Sequence, residues 1–102
     1  MIYMESRHWE IVKTILHKYP YTFYAFGSRV KNTQKRLSDF DICFMDIIPS
    51  NVLSHIAEDF EESNLPFTVD MVDWNACDEE FRAQIKPDLV LIQTAPTVTT
   101  KE

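Results

Sequence analysis

The spacing of apolar positions along the chain predicts helices that alternate with short strands. Residues 5–18 carry apolar side chains on one helical stripe, residues 50–63 repeat that period, and a last helix is predicted over 79–86, with Ser6, Ser50 and Asp78 as N-caps. Short runs at 22–26, 39–45 and 67–74 are typical of strands, and 89–93 is a candidate edge strand. This order predicts an α/β (α+β) fold, a small mixed sheet of three to four strands with helices packed on it.

The length of the chain bounds its organisation. With 102 residues there is room for one domain, which we place at residues 1–93, followed by a flexible tail at 94–102. The apolar runs are too short to span a bilayer, and the first ten residues contain no apolar signal-peptide region. The two cysteines have no metal-ligand spacing. We therefore expect a cytoplasmic protein without a membrane segment.

The distribution of charge narrows the class of partner. A net charge of −6 argues against direct binding of nucleic acid, whose backbone requires a basic surface. Positive charge is nevertheless concentrated at Arg29, Lys31, Lys35 and Arg36, in a stretch that contains no acidic residue. A cationic loop on an acidic body suits a small anionic ligand better than a long polyanion.

A Gly-Ser pair follows the first predicted strand. Gly27 is the only glycine in the chain, so this one position has the freedom to adopt a positive φ without strain. Ser28 adds a hydroxyl at the start of a predicted short helix, where free backbone N–H groups favour an anion. Arg29 and Lys31 lie within reach of the same region. The sequence therefore predicts a phosphate-binding turn, although a Gly-Ser pair alone is more often an ordinary turn.

Two carboxylates lie on one face of the second predicted strand. Strand alternation places Asp39 and Asp41 on the same side, with Cα atoms about 6.6 Å apart, opposite the apolar Phe40, Ile42 and Phe44. A lone pair of this kind is usually a solvated strand face. Next to a phosphate-binding turn, however, carboxylates with Mg²⁺ and a nucleotide are typical of two-metal phosphoryl or nucleotidyl transfer.

A site of this kind needs a third carboxylate from a neighbouring strand, and Asp70 and Asp73 are the candidates. Alternation places Val69 and Met71 on one face of the third strand and Asp70 on the other, well inside the strand. Asp73 shares the apolar parity near the strand end. We therefore choose Asp70 and keep Asp73 as the alternative.

These motifs resemble those of a known family. The spacing Gly27-Ser28, ten residues, Asp39-Phe40-Asp41, followed by Asp70, resembles the signature of the DNA-polymerase-β-type nucleotidyltransferase superfamily. The short chain, the string SDFDI at 38–42 and the string VDMVDW at 69–74 narrow the resemblance to minimal nucleotidyltransferase (MNT) proteins, the antitoxins of HEPN–MNT toxin–antitoxin pairs. The motifs span residues 22–74.

The resemblance implies a specific activity. Such proteins use ATP and two Mg²⁺ ions to transfer AMP to a tyrosine of a cognate HEPN ribonuclease toxin, which is thereby neutralised, and a hetero-oligomer with a toxin dimer is the expected assembly. By correspondence, the nucleotide-binding residues are Gly27, Ser28 and Arg29, and the catalytic, metal-binding residues are Asp39, Asp41 and Asp70. Two alternatives stay open: a catalytically silent antitoxin that neutralises by binding alone, and a nucleotidyltransferase that acts on a small-molecule hydroxyl.

Overall fold

Eight main elements alternate along the chain in the computed structural model, which describes residues 2–96. The elements are α1 (Ser6–Leu16), β1 (Phe23–Phe26), α2 (Ser28–Lys31), β2 (Phe40–Phe44), α3 (Ser50–Glu61), β3 (Val69–Asp73), α4 (Glu79–Ile85) and β4 (Val90–Gln93). Short 3₁₀ turns at Trp74–Ala76 and Lys86–Asp88 flank α4. None of the helices in the described part of the chain is both long and apolar enough to cross a membrane.

The four strands form one mixed sheet in the order β3-β2-β1-β4. β1 pairs antiparallel with β2 and with β4, whereas β2 and β3 are parallel. A parallel pair needs a crossover connection, and α3 provides it. The predicted fold class, a small mixed sheet with packed helices, is confirmed, and the sheet has the upper number of predicted strands.

The two faces of the sheet are covered by different helices. On one face Phe40, Ile42 and Phe44 are at most 2% exposed and pack in a core with residues of α1 and α3. On the other face Cys43 packs with Phe26 and with Ile85 of α4 in a smaller cluster. The predicted alternation along β2 is therefore correct. On this second face, the N-terminal half of β2 carries Asp41 and is not part of the apolar cluster.

Two of the three predicted helix caps are wrong. Ser6 and Ser50 are themselves the first helical residues, and the capping positions are held by Glu5 and Pro49, whose carbonyl groups accept the first helical N–H groups. Asp78 does cap α4, because its carboxylate accepts the N–H of Phe81 at 2.8 Å. A serine directly before an apolar stripe fits either position.

The C-terminal segment is anchored on the end of α1 and on the residues that connect α1 to β1. The amide Nε2 of Gln93 donates to the carbonyl groups of Leu16, Tyr19 and Tyr21 at 2.8–3.0 Å. The N–H of Ala95, within the predicted tail, donates to the Thr22 hydroxyl at 2.9 Å. The rest of that tail, residues 97–102, lies outside the described residues.

Candidate active site

The turn at Gly27 depends on a conformation that only glycine adopts readily. Between β1 and α2, Gly27 has φ 86° and ψ −157°, a region that is essentially reserved for glycine. Its carbonyl accepts the N–H groups of Val30 and Lys31, at 3.0 and 3.2 Å, and so starts α2. A Cβ at this position would overlap Oδ2 of Asp41 and lie 3.4 Å from its Cγ. The turn therefore lies directly against the Asp41 carboxylate.

The parallel pairing of β2 and β3 places two of the predicted aspartates side by side. Asp41 is the direct register partner of Asp70, and neighbouring strands lie about 4.8 Å apart. Asp39 precedes β2 by one residue. Burial, followed by the negative charges of Asp70 and Asp39, raises the pKa of the half-buried Asp41. The charges of Asp70 and Asp39 therefore both act on the Asp41 carboxylate.

The side chains of Asp39, Asp41 and Asp70 are neighbours, but they do not converge on one metal position. Among residues 2–96, no three His, Cys, Asp or Glu side chains converge closely enough to hold a metal ion. Like charges oppose such convergence, and an intervening cation would reverse that effect. The donor chemistry suits Mg²⁺, which prefers carboxylate oxygens together with phosphate oxygens. Asp39 and Asp70 are exposed, so both can reorient toward a ligand.

Asp73, the alternative third carboxylate, has a local role. Its Oδ1 accepts the N–H of Asn75 at 3.0 Å and caps the 3₁₀ turn that follows β3. In the register of the sheet it pairs with Phe44, at the end of β2 remote from Asp41. The geometry therefore favours Asp70 over Asp73 as the neighbour of Asp41.

Arg29 lies away from the carboxylate face, contrary to the expectation for a nucleotide ligand. The side chain is 4% exposed, and its guanidinium donates to the carbonyl groups of Ser38 (2.9 and 3.1 Å), Tyr3 (3.0 Å) and Arg36 (3.2 Å). It also stacks over the Phe67 ring at 4.2 Å. Nucleotide binding by this side chain would require breaking these contacts. Its observed role is to hold the loop that leads into Asp39.

An ion pair near the turn was not apparent from the sequence. Lys31 Nζ lies 3.2 Å from Oδ2 of Asp88, which links α2 to the 3₁₀ turn after α4. The two residues are far apart in the chain and no local motif marks them, so only the fold reveals the pair. Of the four clustered cations, Lys31 and Arg29 therefore have partners within the protein.

Comparison with known proteins identifies the family. The family model described as "Polymerase beta, Nucleotidyltransferase" matches residues 10–97. The chain belongs to this nucleotidyltransferase family. The predicted superfamily is thereby confirmed, and with it the assignment of the chain as a nucleotidyltransferase.

One curated protein and two solved structures are also similar to the chain. The chain is 42% identical over 94 residues to the "Probable protein adenylyltransferase MntA" of Haemophilus influenzae, covering 88% of this chain and 82% of that protein. Its fold is similar to that of a toxin–antitoxin crystal structure with AMP-PNP, with TM-score 0.65, 23% identity, and coverage of 83% of this chain and 72% of the other. A mutant toxin–antitoxin MntA–HpeT structure matches with TM-score 0.60, 18% identity, and coverage of 90% and 74%. These two structures show a shared fold.

Proposed function

We propose that this chain is an antitoxin adenylyltransferase, which transfers AMP from ATP to a tyrosine of a cognate HEPN ribonuclease toxin and thereby neutralises it. The observation that carries the proposal is the pairing of Asp41 with Asp70 directly beside Gly27. The 42% identity with an MntA described as a protein adenylyltransferase supports a protein as the acceptor. Homologous folds in toxin–antitoxin structures, one with AMP-PNP, support the partner and the nucleotide.

In this proposal the turn binds the triphosphate. Gly27 allows the backbone to approach the phosphates closely, and Ser28 contributes its hydroxyl and N–H at the start of α2. Arg29 is not part of this site, because its guanidinium is committed to three backbone carbonyl groups. Arg29 instead positions the backbone that leads into the site, because its guanidinium binds the carbonyl group of Ser38, the residue before Asp39.

The carboxylates would bind Mg²⁺, and one of them would accept the proton of the acceptor tyrosine. Asp39, Asp41 and Asp70 are the residues that would bind two Mg²⁺ ions, which offset the charge of the triphosphate and orient its α-phosphate. In the transfer, the tyrosine oxygen bonds to the α-phosphorus, the bond to the β-phosphate bridging oxygen breaks, and pyrophosphate leaves. The tyrosine proton must go to a base, and we assign this role to Asp70, which is exposed and is the register partner of Asp41.

The test is direct transfer of label. The purified chain is incubated with ATP labelled at the α-phosphate, Mg²⁺ and the HEPN protein encoded by the neighbouring gene. We expect label on a tyrosine of that protein, loss of its ribonuclease activity, and neither effect with Asp39→Ala. Neutralisation without label, equal for wild type and Asp39→Ala, would instead identify a silent antitoxin. Label on a small hydroxylated acceptor, and none on the HEPN protein, would identify a nucleotidyltransferase that acts on a small-molecule hydroxyl.

A further inference from the structure

A surface cavity lies on the α1 side of the sheet, opposite the face that carries Asp41. Its volume is about 900 Å³, and it is bounded by the N-terminal segment, the start of α1, the loop at 34–37 and residues near Pro66. The basic side chains that line it are Arg7, His8, Arg29, Lys35 and Arg36. The cavity does not include Asp39, Asp41 or Asp70, so it is separate from the proposed site of AMP transfer.

The cavity gathers positive charge on an otherwise acidic protein. The chain has ten Lys and Arg residues and a net charge of −6, yet four of those ten line this one cavity. Arg7 is paired with Glu5 at 3.0 Å, and Arg29 is bound to carbonyl groups. Within residues 2–96, Lys35 and Arg36 have no carboxylate partner, and both are exposed. Two cations are therefore free to bind an external anion.

An apolar side chain adjoins these two cations. Leu37 also lines the cavity and is 56% exposed, although it is a large hydrophobic residue. An exposed leucine next to two unpaired cations offers a contact for a protein segment that is both acidic and apolar. A polyanion such as RNA would use the cations and leave the leucine without a partner. This combination favours a protein.

The loop is fixed in place and leads directly into the proposed active site. The guanidinium of Arg29 binds the carbonyl groups of Arg36 and Ser38, on either side of Leu37. The N–H of Lys35 donates to the Ser38 hydroxyl at 2.8 Å. Leu37 is two residues before Asp39, so their Cα atoms are at most about 7 Å apart. A partner held by this loop is therefore brought to the edge where the carboxylates begin.

We propose that the surface formed by Lys35, Arg36, Leu37 and the adjoining cavity, the 35–37 surface, docks an acidic and apolar segment of the protein that carries the acceptor tyrosine. The proposal rests on the proposed function, in which the acceptor is a protein. It separates two tasks: the carboxylate face carries out transfer, and the 35–37 surface selects the protein to be modified. Rigid attachment through Arg29 lowers the entropy lost on docking.

The experiment measures binding and transfer separately. The variant Lys35→Glu/Arg36→Glu is compared with wild type and with Lys13→Glu/Lys86→Glu, which makes the same change of charge on α1 and after α4. Equilibrium binding to the purified HEPN protein is measured without nucleotide, and ATP binding is measured alone. We expect the affinity for the HEPN protein to fall by about tenfold or more in the first variant only, and to depend less on salt. Leu37→Ser should also weaken binding, without changing its salt dependence.

The outcomes distinguish this proposal from the proposed function. Unchanged HEPN affinity in both Lys35→Glu/Arg36→Glu and Leu37→Ser, with circular dichroism showing both folded, would overturn the 35–37 surface. Loss of affinity for a single-stranded RNA with unchanged affinity for the HEPN protein would also overturn it, in favour of a nucleic-acid surface. Absence of AMP transfer by wild type would overturn the proposed function, while the binding comparison would still decide the surface. Weaker ATP binding in the first variant would assign the cations to the nucleotide instead.

Discussion

Gly27 and Asp41 are in direct contact, because a Cβ on Gly27 would overlap Oδ2 of the Asp41 carboxylate. The contact connects the turn after β1 to the middle of the proposed carboxylate group. It explains why the only glycine of the chain stands at this position. Both the backbone angles and the neighbouring carboxylate disfavour a side chain here.

Gly27→Ala should therefore reduce both stability and ATP binding. The backbone conformation alone costs a non-glycine residue about 1–3 kcal/mol, and the overlap with Asp41 adds to that cost. Urea unfolding should show a loss of at least about 2 kcal/mol. The matched control is Asn32→Gly, at the other described residue with positive φ (61°), which asparagine tolerates and where we expect a change under about 1 kcal/mol. Equal stabilities for wild type and Gly27→Ala would contradict this interpretation of the turn.

Asp41→Asn should stabilise the protein while abolishing AMP transfer. Burial and the charges of Asp70 and Asp39 raise the pKa of Asp41, so its ionised form is disfavoured in the folded state. Removing that charge should increase the free energy of unfolding by about 0.5–2 kcal/mol at pH 7 without Mg²⁺. Thermal unfolding with and without Mg²⁺ provides the measurement, and the ion should stabilise wild type more than the variant. A less stable Asp41→Asn would show that this carboxylate is not under repulsion.

Replacing Arg29 should destabilise the fold strongly. Its buried guanidinium satisfies the carbonyl groups of Tyr3, Arg36 and Ser38, and Arg29→Met would leave these groups without a donor. We expect a loss of about 3 kcal/mol in urea unfolding, and a smaller loss for Arg29→Lys, which retains the charge but not the planar fork. Lys31→Met, which removes an exposed ion pair with Asp88, should cost less than about 1 kcal/mol. Similar losses for Arg29→Met and Lys31→Met would be inconsistent with the contacts described.

Asp59 should make the stability depend on pH at the junction of α1 and α3. The hydrogen bond from Tyr19, followed by that from Lys18, lowers the pKa of Asp59 below its ordinary value of 3.8. The stability that this carboxylate contributes is present above pH 3.8 and is lost as the pH falls through the lowered pKa. Asp59→Asn should therefore be less stable than wild type at pH 7, and the difference should disappear in acid.

The same hydrogen bond acts at the alkaline end. It raises the pKa of Tyr19 to about 12, so the stability that Tyr19 contributes is present below pH 10 and is lost as the pH rises through about 12. The measurement is urea unfolding as a function of pH, with Glu62→Gln at the end of α3 as the control. If the free energies of unfolding of wild type and Asp59→Asn differed by a constant amount from pH 3 to pH 7, the lowered pKa of Asp59 would be refuted.

The sequence predicted where those candidate site residues lie whose position depends on local pattern. Alternation along β2 put Asp41 opposite Phe40 and Ile42, and the structure buries both of these apolar side chains completely. The lone glycine marked a turn with positive φ, which Gly27 has. Asp70 was chosen over Asp73 by the parity of β3, and Asp70 is the register partner of Asp41. In each case the two-residue period of a strand, or the conformational freedom of glycine, contained the information.

The features that the sequence did not reveal depend on contacts between distant segments. Arg29 stands next to Ser28, so a phosphate ligand was the natural prediction. Its acceptors, however, include Tyr3, which is 26 residues earlier in the chain, and no local pattern encodes the direction of the Arg29 side chain. The parallel direction of β3 was also undetermined, because strand direction follows from the path of α3. The separate cavity beside Leu37 arises from the folding of the N-terminal segment against the 34–37 loop.

The most direct test of the account compares two aspartates of the same strand. Single-turnover transfer of labelled AMP to the HEPN protein is measured for wild type, Asp70→Asn and Asp73→Asn, all with Mg²⁺ and saturating ATP. Because Asp70 faces Asp41 and Asp73 only caps a turn that asparagine also caps, we expect Asp70→Asn to slow transfer by about 10²–10⁴-fold and Asp73→Asn to change it by only a few fold. Transfer that survives Asp70→Asn but is lost in Asp73→Asn would contradict the proposed site.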